Sequence, residues 1–221
     1  NGGLSLAWSY HPHAFKVQCN NNKSPYDIFK DKERFSLAIR KALKGSFFQK
    51  TSYEDLMSSS DKIKERIRGY LRRVSGSQMV SNFRPVTASA LYSLFCEEGD
   101  TVWDMSCGWG GRLLASIKSN INYIGTDPNT KTMKGLKEMI TTFGREARTY
   151  ELLTIGSEVY KPKKNSLDFC FTSPPYFDTE RYSNEKTQSY LKFSNIENWK
   201  EGFLRKTIEN CYRGLKPNKF L

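Results

Sequence analysis

Between Asp168 and Phe177 a short apolar run, Phe169-Cys170-Phe171, stops at Thr172-Ser173-Pro174-Pro175-Tyr176. Two consecutive prolines end ladder pairing and fix a rigid turn, so a hydroxyl, a stretch of bare carbonyls and a flat ring come together directly after a strand. Such a turn suits a planar, amino-bearing substrate such as a nucleobase. Pro-Pro-Tyr alone also reads as an ordinary strand cap with a packed tyrosine. The residues elsewhere in the chain decide between the two.

The elements that must position this turn alternate. Strands are expected at Thr101 to Met105, Asn122 to Thr126, Tyr150 to Ile155 and Leu167 to Phe171. Helices are expected at Gly111 to Ser119, Thr130 to Phe143 and Trp199 to Gly214. Alternation of this kind implies a mostly parallel sheet with crossover helices, an α/β fold in which ligands bind at the carboxyl ends of the strands. Ser173 to Tyr176 fall at such an end. So does the run Asp104-Met105-Ser106-Cys107-Gly108-Trp109-Gly110-Gly111, whose glycines let the backbone turn sharply beside a ligand. Leu113 stands where the third glycine of a dinucleotide fingerprint belongs, so the turn fits a phosphate-free cofactor better than a pyrophosphate. Roughly twenty residues on, Asp127, followed by Pro128, ends the second strand. A carboxylate there either accepts from ribose hydroxyls or caps the next helix.

The net charge of +12 and pI near 9.4 point to a polyanionic partner, and with 14% aromatics nucleic acid fits better than a membrane surface. No apolar stretch is long enough to span a bilayer. Five cysteines (Cys19, Cys96, Cys107, Cys170, Cys211) without a CxxC pair fit neither a disulfide framework nor a zinc site. His11-Pro12-His13 lacks further ligands at metal spacing. A cytoplasmic protein without metal is expected. Residues 1 to about 29 show no period and read as irregular. Amphipathic helices are expected at Asp31 to Leu43 and Ser60 to Val74, the second with a basic face of Lys62, Lys64, Arg66, Arg68, Arg72 and Arg73. That face either meets phosphates or is simply solvated. Hence residues 1–80 read as an accessory region, irregular then helical and basic, and 81–221 as the core. Both ends look cut, with the last residues starting a new strand that leaves the sheet incomplete.

Phe83-Arg84-Pro85, Asp104 through Gly111, Asp127, Gly156-Ser157-Glu158 and Ser173-Pro174-Pro175-Tyr176, in that order, resemble the S-adenosylmethionine-dependent DNA methyltransferases that modify exocyclic amines, N4 of cytosine or N6 of adenine. The resemblance covers about residues 81 to 221. It implies a Rossmann-like class I methyltransferase fold, S-adenosyl-L-methionine as cofactor and double-stranded DNA with a flipped base as partner, in a restriction-modification or phage modification setting. Ser173 in place of Asp looks more like the N4-cytosine subgroup.

By resemblance, Ser173, Pro174, Pro175 and Tyr176 are catalytic. Asp104 and Gly108 to Gly110 line the methionine half, with Ser106 and Cys107 in the same turn. Asp127, with Pro128, serves the ribose, and Ser157 or Glu158 the adenine edge. Phe83, Arg84 and Pro85 close the pocket. Where the family usually has Phe, this chain has Ser106, which leaves the wall beside the methionine moiety to be formed differently. Cys107 and Cys170 lie in the cofactor turn and a core strand, positions that do not suit the nucleophile of C5-cytosine chemistry. An RNA or protein amine methyltransferase, or a catalytically silent binding module, are the competing readings. The polar loop from Phe177 to about Asn195 is either a substrate-contacting lid or a mobile connection.

Overall fold

A computed structural model describes residues 2–44, 60–73 and 76–221; Val74, the expected end of the second basic helix, lies outside the described residues. In chain order the helices and strands are α1 Leu4–Ser9, α2 Pro25–Lys30, α3 Lys32–Lys44, α4 Ser60–Leu71, α5 Pro85–Phe95, β1 Thr101–Asp104, α6 Gly111–Lys118, β2 Asn122–Thr126, α7 Thr130–Phe143, β3 Tyr150–Leu153, β4 Leu167–Cys170, α8 Ser189–Lys192, α9 Ile196–Trp199, α10 Lys206–Gly214 and β5 Leu215–Phe220. The chain divides into two compact units, Asn1–Pro12 with Ser81–Leu221, and His13–Val80. The sequence reading drew a single boundary near residue 80; the structure assigns the first twelve residues to the α/β unit.

In that unit five strands run in the order β3-β2-β1-β4-β5, all pairs parallel. This is the Rossmann-like α/β arrangement that the alternating elements imply. The central strands read as continuous apolar runs because both faces are covered: Val102, Trp103, Tyr123, Leu167, Phe169 and Cys170 are all buried. β2 and α7 fall where the sequence places them. β1, β3 and β4 end one or two residues early, since Met105, Thr154 and Phe171 already turn toward the loops at the carboxyl edge.

Two expectations fail. The stretch expected to be irregular contains two helices, α1 and α2, the second opened by a capping box in which Ser24 and Asp27 bond reciprocally. Six-residue helices are too short to show a period, and α1 is held by packing. His11 is buried at its end, its ring nitrogens 2.9 Å from the Ala7 carbonyl and 3.3 Å from the Thr132 carbonyl, and burial holds its pKa below the usual imidazole range. The helix expected from Trp199 to Gly214 is interrupted by a π-helical stretch at Lys200–Arg205. This widened turn places Gly202 under the Phe193 ring and buries Phe203.

In the His13–Val80 unit, α2, α3 and α4 enclose a small core of Ile28, Ala38 and Leu71 with Phe35, Ile67 and Tyr70 against it. The backbone after α4 returns beside Lys23, whose N–H donates to the Gly76 carbonyl at 2.8 Å. No helix among the described residues is long and apolar enough to cross a membrane.

Candidate active site

The loops after β1, β2, β3 and β4 converge on one cavity at the carboxyl edge of the sheet. Its lining includes Phe83, Ser106, Gly108, Asp127, Pro128, Ser157 and Glu158, together with Ser173, Pro174, Pro175 and Tyr176. Arg84, Pro85, Asp104, Cys107 and Gly110 are not part of the lining. Pro85 is the first residue of α5, with Arg84 exposed at its N-cap. The Cys107 side chain turns into the core against Met133, where burial raises its pKa well above the thiol range. Cys170 is likewise buried, facing Cys211, and is held protonated. Neither thiol is a nucleophile here.

Asp104, fully buried, is the hub on which the site is assembled. Its carboxylate pairs with Arg112 at 2.7 Å, accepts from the Tyr123 hydroxyl at 2.7 Å, and accepts from the Thr172 hydroxyl at 3.0 Å. Thr172 in turn accepts from the Ser106 N–H at 3.0 Å. A carboxylate with this many partners has no oxygen left for a ligand. Its work is to clamp the glycine turn against the turn that carries Ser173. Burial works against the charge on Arg112, but Asp104 overrides it and raises the guanidinium pKa.

The glycines serve two ends. Gly110 sits at φ 78° with Met139 and Leu136 where a Cβ would be, so it brings α7 close. At Gly111 an added Cβ would lie 2.0 Å from the Phe83 carbonyl oxygen. The segment Ser81-Asn82-Phe83 therefore rests directly on the helix start. Asn82 ties it down by donating to the Trp109 carbonyl at 3.2 Å.

Asp127 accepts from the Gly108 N–H at 3.1 Å and the Asn129 N–H at 2.9 Å. Burial pushes its pKa up to about 6 against the pull of those two N–H groups. The cap of α7 is Asn129, whose side chain accepts from the N–H groups of Lys131 and Thr132. Asp127 is thus not the helix cap, and it joins the glycine turn to the tip of β2.

Glu158 is 8% exposed. One carboxylate oxygen accepts from Lys192 at 2.7 Å; the other is buried without a hydrogen-bond partner. Ser157 spends its hydroxyl on Thr207 at 2.8 Å. Ser173 makes no hydrogen bond among the described residues, and the Tyr176 ring is 61% exposed. Phe177, directly after, holds φ at 50°, a left-handed backbone that is an outlier for a bulky residue.

Sequence reasoning offered the loop after Phe177 as a substrate-contacting segment without naming the residues of the far wall. The loop after Phe177 contributes Glu180, Tyr182, Thr187, Gln188 and Tyr190 to the lining, so it is part of the site. It is laced to the β2 tip: Thr130 donates to Glu185 and Thr187 to the Pro128 carbonyl. The Nε2 of Gln188 is buried in it with no partner. Polar loop composition carries no mark of this; only the length of the loop beside a catalytic turn pointed to it. Among the described residues no cluster of three His, Cys, Asp or Glu could hold a metal ion.

No protein-family model matches the chain, and no curated protein does. Solved structures do match. A protein of Methanococcus maripaludis assigned as an S-adenosyl-L-methionine-dependent methyltransferase is 13% identical over 61% of this chain and 52% of its own, with a TM-score of 0.43. A geranyl diphosphate methyltransferase solved with sinefungin is 12% identical over 73% and 48%, TM-score 0.45. Phosphoethanolamine N-methyltransferase 2 of Haemonchus contortus, solved with S-adenosyl-L-methionine, is 18% identical over 61% and 26%, TM-score 0.41. The chain spans about half, or less, of the length of these structures, and likeness at this level says nothing of what the cavity holds.

Proposed function

We propose that the α/β unit is an S-adenosylmethionine-dependent methyltransferase that acts on an exocyclic amine of a DNA base, N4 of cytosine. One observation carries the reading: Gly108, Asp127 and Glu158 share a single cavity with Ser173, Pro174, Pro175 and Tyr176. The polar groups of that cavity suit this donor. Asp127, Glu158 and Glu180 bring carboxylates to it, Glu158 with one oxygen already on Lys192, while the one guanidinium in the lining, on Arg112, is spent on Asp104. Such a lining favours a cationic sulfonium with an ammonium group and disfavours a pyrophosphate. The unpartnered oxygen of Glu158 and the unpartnered Nε2 of Gln188 are an acceptor and a donor left buried without bonds, an arrangement that costs free energy until a ligand supplies them.

Asp127 would accept from ribose hydroxyls and Glu158 from the adenine amine. Phe83 and Trp109 supply aromatic wall where Ser106 cannot. When bound, S-adenosylmethionine supplies an electrophilic methyl group. The chain's own contribution is to prepare the amine, whose lone pair is delocalised into the base. The Ser173 hydroxyl and the Pro174 carbonyl would accept its two N–H bonds, which concentrates the lone pair on nitrogen. As the N–C bond forms the S–C bond would break, leaving a neutral thioether, and the surplus N–H proton would leave to solvent along these acceptors. The rigid prolyl turn fixes their positions in advance, so catalysis is placement and polarisation without a covalent intermediate. The exposed Tyr176 ring stacks on the extruded base, a contact worth about 1–3 kcal/mol that offsets part of the cost of flipping.

The test is to incubate the chain with methyl-labelled S-adenosylmethionine and duplex DNA, digest to nucleosides and locate the label by mass spectrometry. N4-methylcytosine is expected. Label on N6 of adenine would transfer the reading to the adenine subgroup. Label on C5, or on RNA alone, would overturn it.

A further inference from the structure

The net charge of the chain is concentrated in residues 13–80, which hold 15 Lys and Arg against 7 Asp and Glu. On this unit lies an open groove floored by Phe15, Tyr26, Phe29 and Phe35 and edged by Lys64 and Arg68. Phe29 is 53% exposed and meets the edge of Phe35, ring centroids 5.0 Å apart. Cations rest on the other two rings. The ammonium groups of Lys16 and Lys30 both lie over Tyr26, at 4.7 and 4.8 Å, and the Arg72 guanidinium lies over Phe15 at 4.8 Å.

Three carboxylates of the unit are engaged elsewhere. Asp27 is held in the α2 capping box, Asp31 pairs with Lys23 and Arg34, and Asp61 pairs with Lys64. Among the described residues no carboxylate forms an ion pair with Lys16, Lys30, Arg68, Arg72 or Arg73. Burial first, and then the neighbouring Arg68 and Arg73, lower the pKa of Arg72.

We infer that this groove binds single-stranded nucleic acid, with an unpaired base stacking on Phe29 while Lys16, Lys30, Arg68 and Arg72 take the flanking phosphates. Flat apolar surface interleaved with cations is complementary to a chain that alternates bases with phosphates. An apolar helix would leave the cations unpaired, and an acidic peptide would leave the rings uncovered. The inference stands apart from the methyl-transfer reading, because it concerns residues that contribute nothing to the cavity of the α/β unit.

The experiment measures fluorescence anisotropy of labelled oligo-dT and oligo-U, each about twelve nucleotides long, with the full chain from about 50 to about 200 mM salt. Three variants are compared with the parent: Phe29→Ala, Phe29→Trp and the pair Arg68→Glu with Arg72→Glu. A charge-matched control, Lys118→Glu with Lys134→Glu, alters exposed lysines of the α/β unit. Phe29→Ala is expected to weaken oligonucleotide binding by about five- to a hundredfold, the loss of one stacked base, without changing heparin binding. Phe29→Trp keeps or tightens binding. The arginine pair reduces the log-log salt slope by roughly 1.4, and the control affects binding less than the arginine pair does. A preference between the dT and U arms identifies the natural strand. Oligonucleotide binding that ignores all three variants overturns the inference, as does equal competition by polyglutamate. S-adenosylmethionine titrated into the same variants separates the two readings: it is expected to bind them all alike, whatever the oligonucleotides do.

Discussion

The two compact units divide the protein's charge unequally. Residues 13–80 carry 15 basic against 7 acidic side chains, and the rest of the chain 20 against 16. The cavity of the α/β unit goes further and faces its ligand with Asp127, Glu158 and Glu180. The groove of the helical unit sets Lys16, Lys30, Arg68 and Arg72 around the exposed Phe29 and the half-buried Phe15, Tyr26 and Phe35. A global net charge of +12 thus reflects mainly one unit and conceals the charge distribution of the other. On the two readings proposed above, one surface would meet a polyanion and the other a small cation.

The contrast requires Arg112 to be neutralised within the fold. Arg112→Ala leaves Asp104 buried and unpaired, and chemical denaturation should show a loss of about 3–5 kcal/mol. A variant that unfolds at the parent's midpoint would show that Arg112 is available to a ligand after all. Next in size, Ser173→Ala should cost about 100- to 1,000-fold in methyl transfer with S-adenosylmethionine affinity unchanged in calorimetry. Parallel loss of both would move Ser173 into cofactor binding. Glu158→Gln should weaken the cofactor by about tenfold, because a neutral amide is a poorer acceptor than a carboxylate.

An effect of the same size is a pH dependence. The pKa of Asp127 stands at about 6 in the fold, above the ordinary value of about 3.9. The native state therefore holds more protons than the unfolded chain between about pH 4 and pH 6, and the contribution of this group to stability falls as pH rises through that window. Binding a hydroxyl donor needs the ionised carboxylate, so cofactor affinity should rise about tenfold from pH 5 to pH 7. Asp127→Asn should flatten that profile; a profile unchanged by the substitution would remove Asp127 from the site.

Much of the α/β unit was legible in the sequence because its central strands are buried on both faces. Their apolar runs and the glycine and proline stops around them are local signals. Asn122–Thr126 and Thr130–Phe143 fall on the expected residues. The role of Asp104 was not legible. Its type and place matched a ligand-facing carboxylate, yet its partners Arg112, Tyr123 and Thr172 meet it only through the fold. Gln188 was hidden for the same reason, an amide in a polar loop that becomes conspicuous only once buried without a partner. The helices at Leu4–Ser9 and Pro25–Lys30 were too short to show a period.

The most direct test is a calorimetric titration of S-adenosylmethionine into the full chain, its Asp127→Ala variant and its Arg68→Glu/Arg72→Glu variant. Binding at one site per chain, weakened by the first substitution and untouched by the second, is the predicted result. No binding, or binding that depends on the arginines and ignores Asp127, would contradict the assignment of the cation to the α/β cavity.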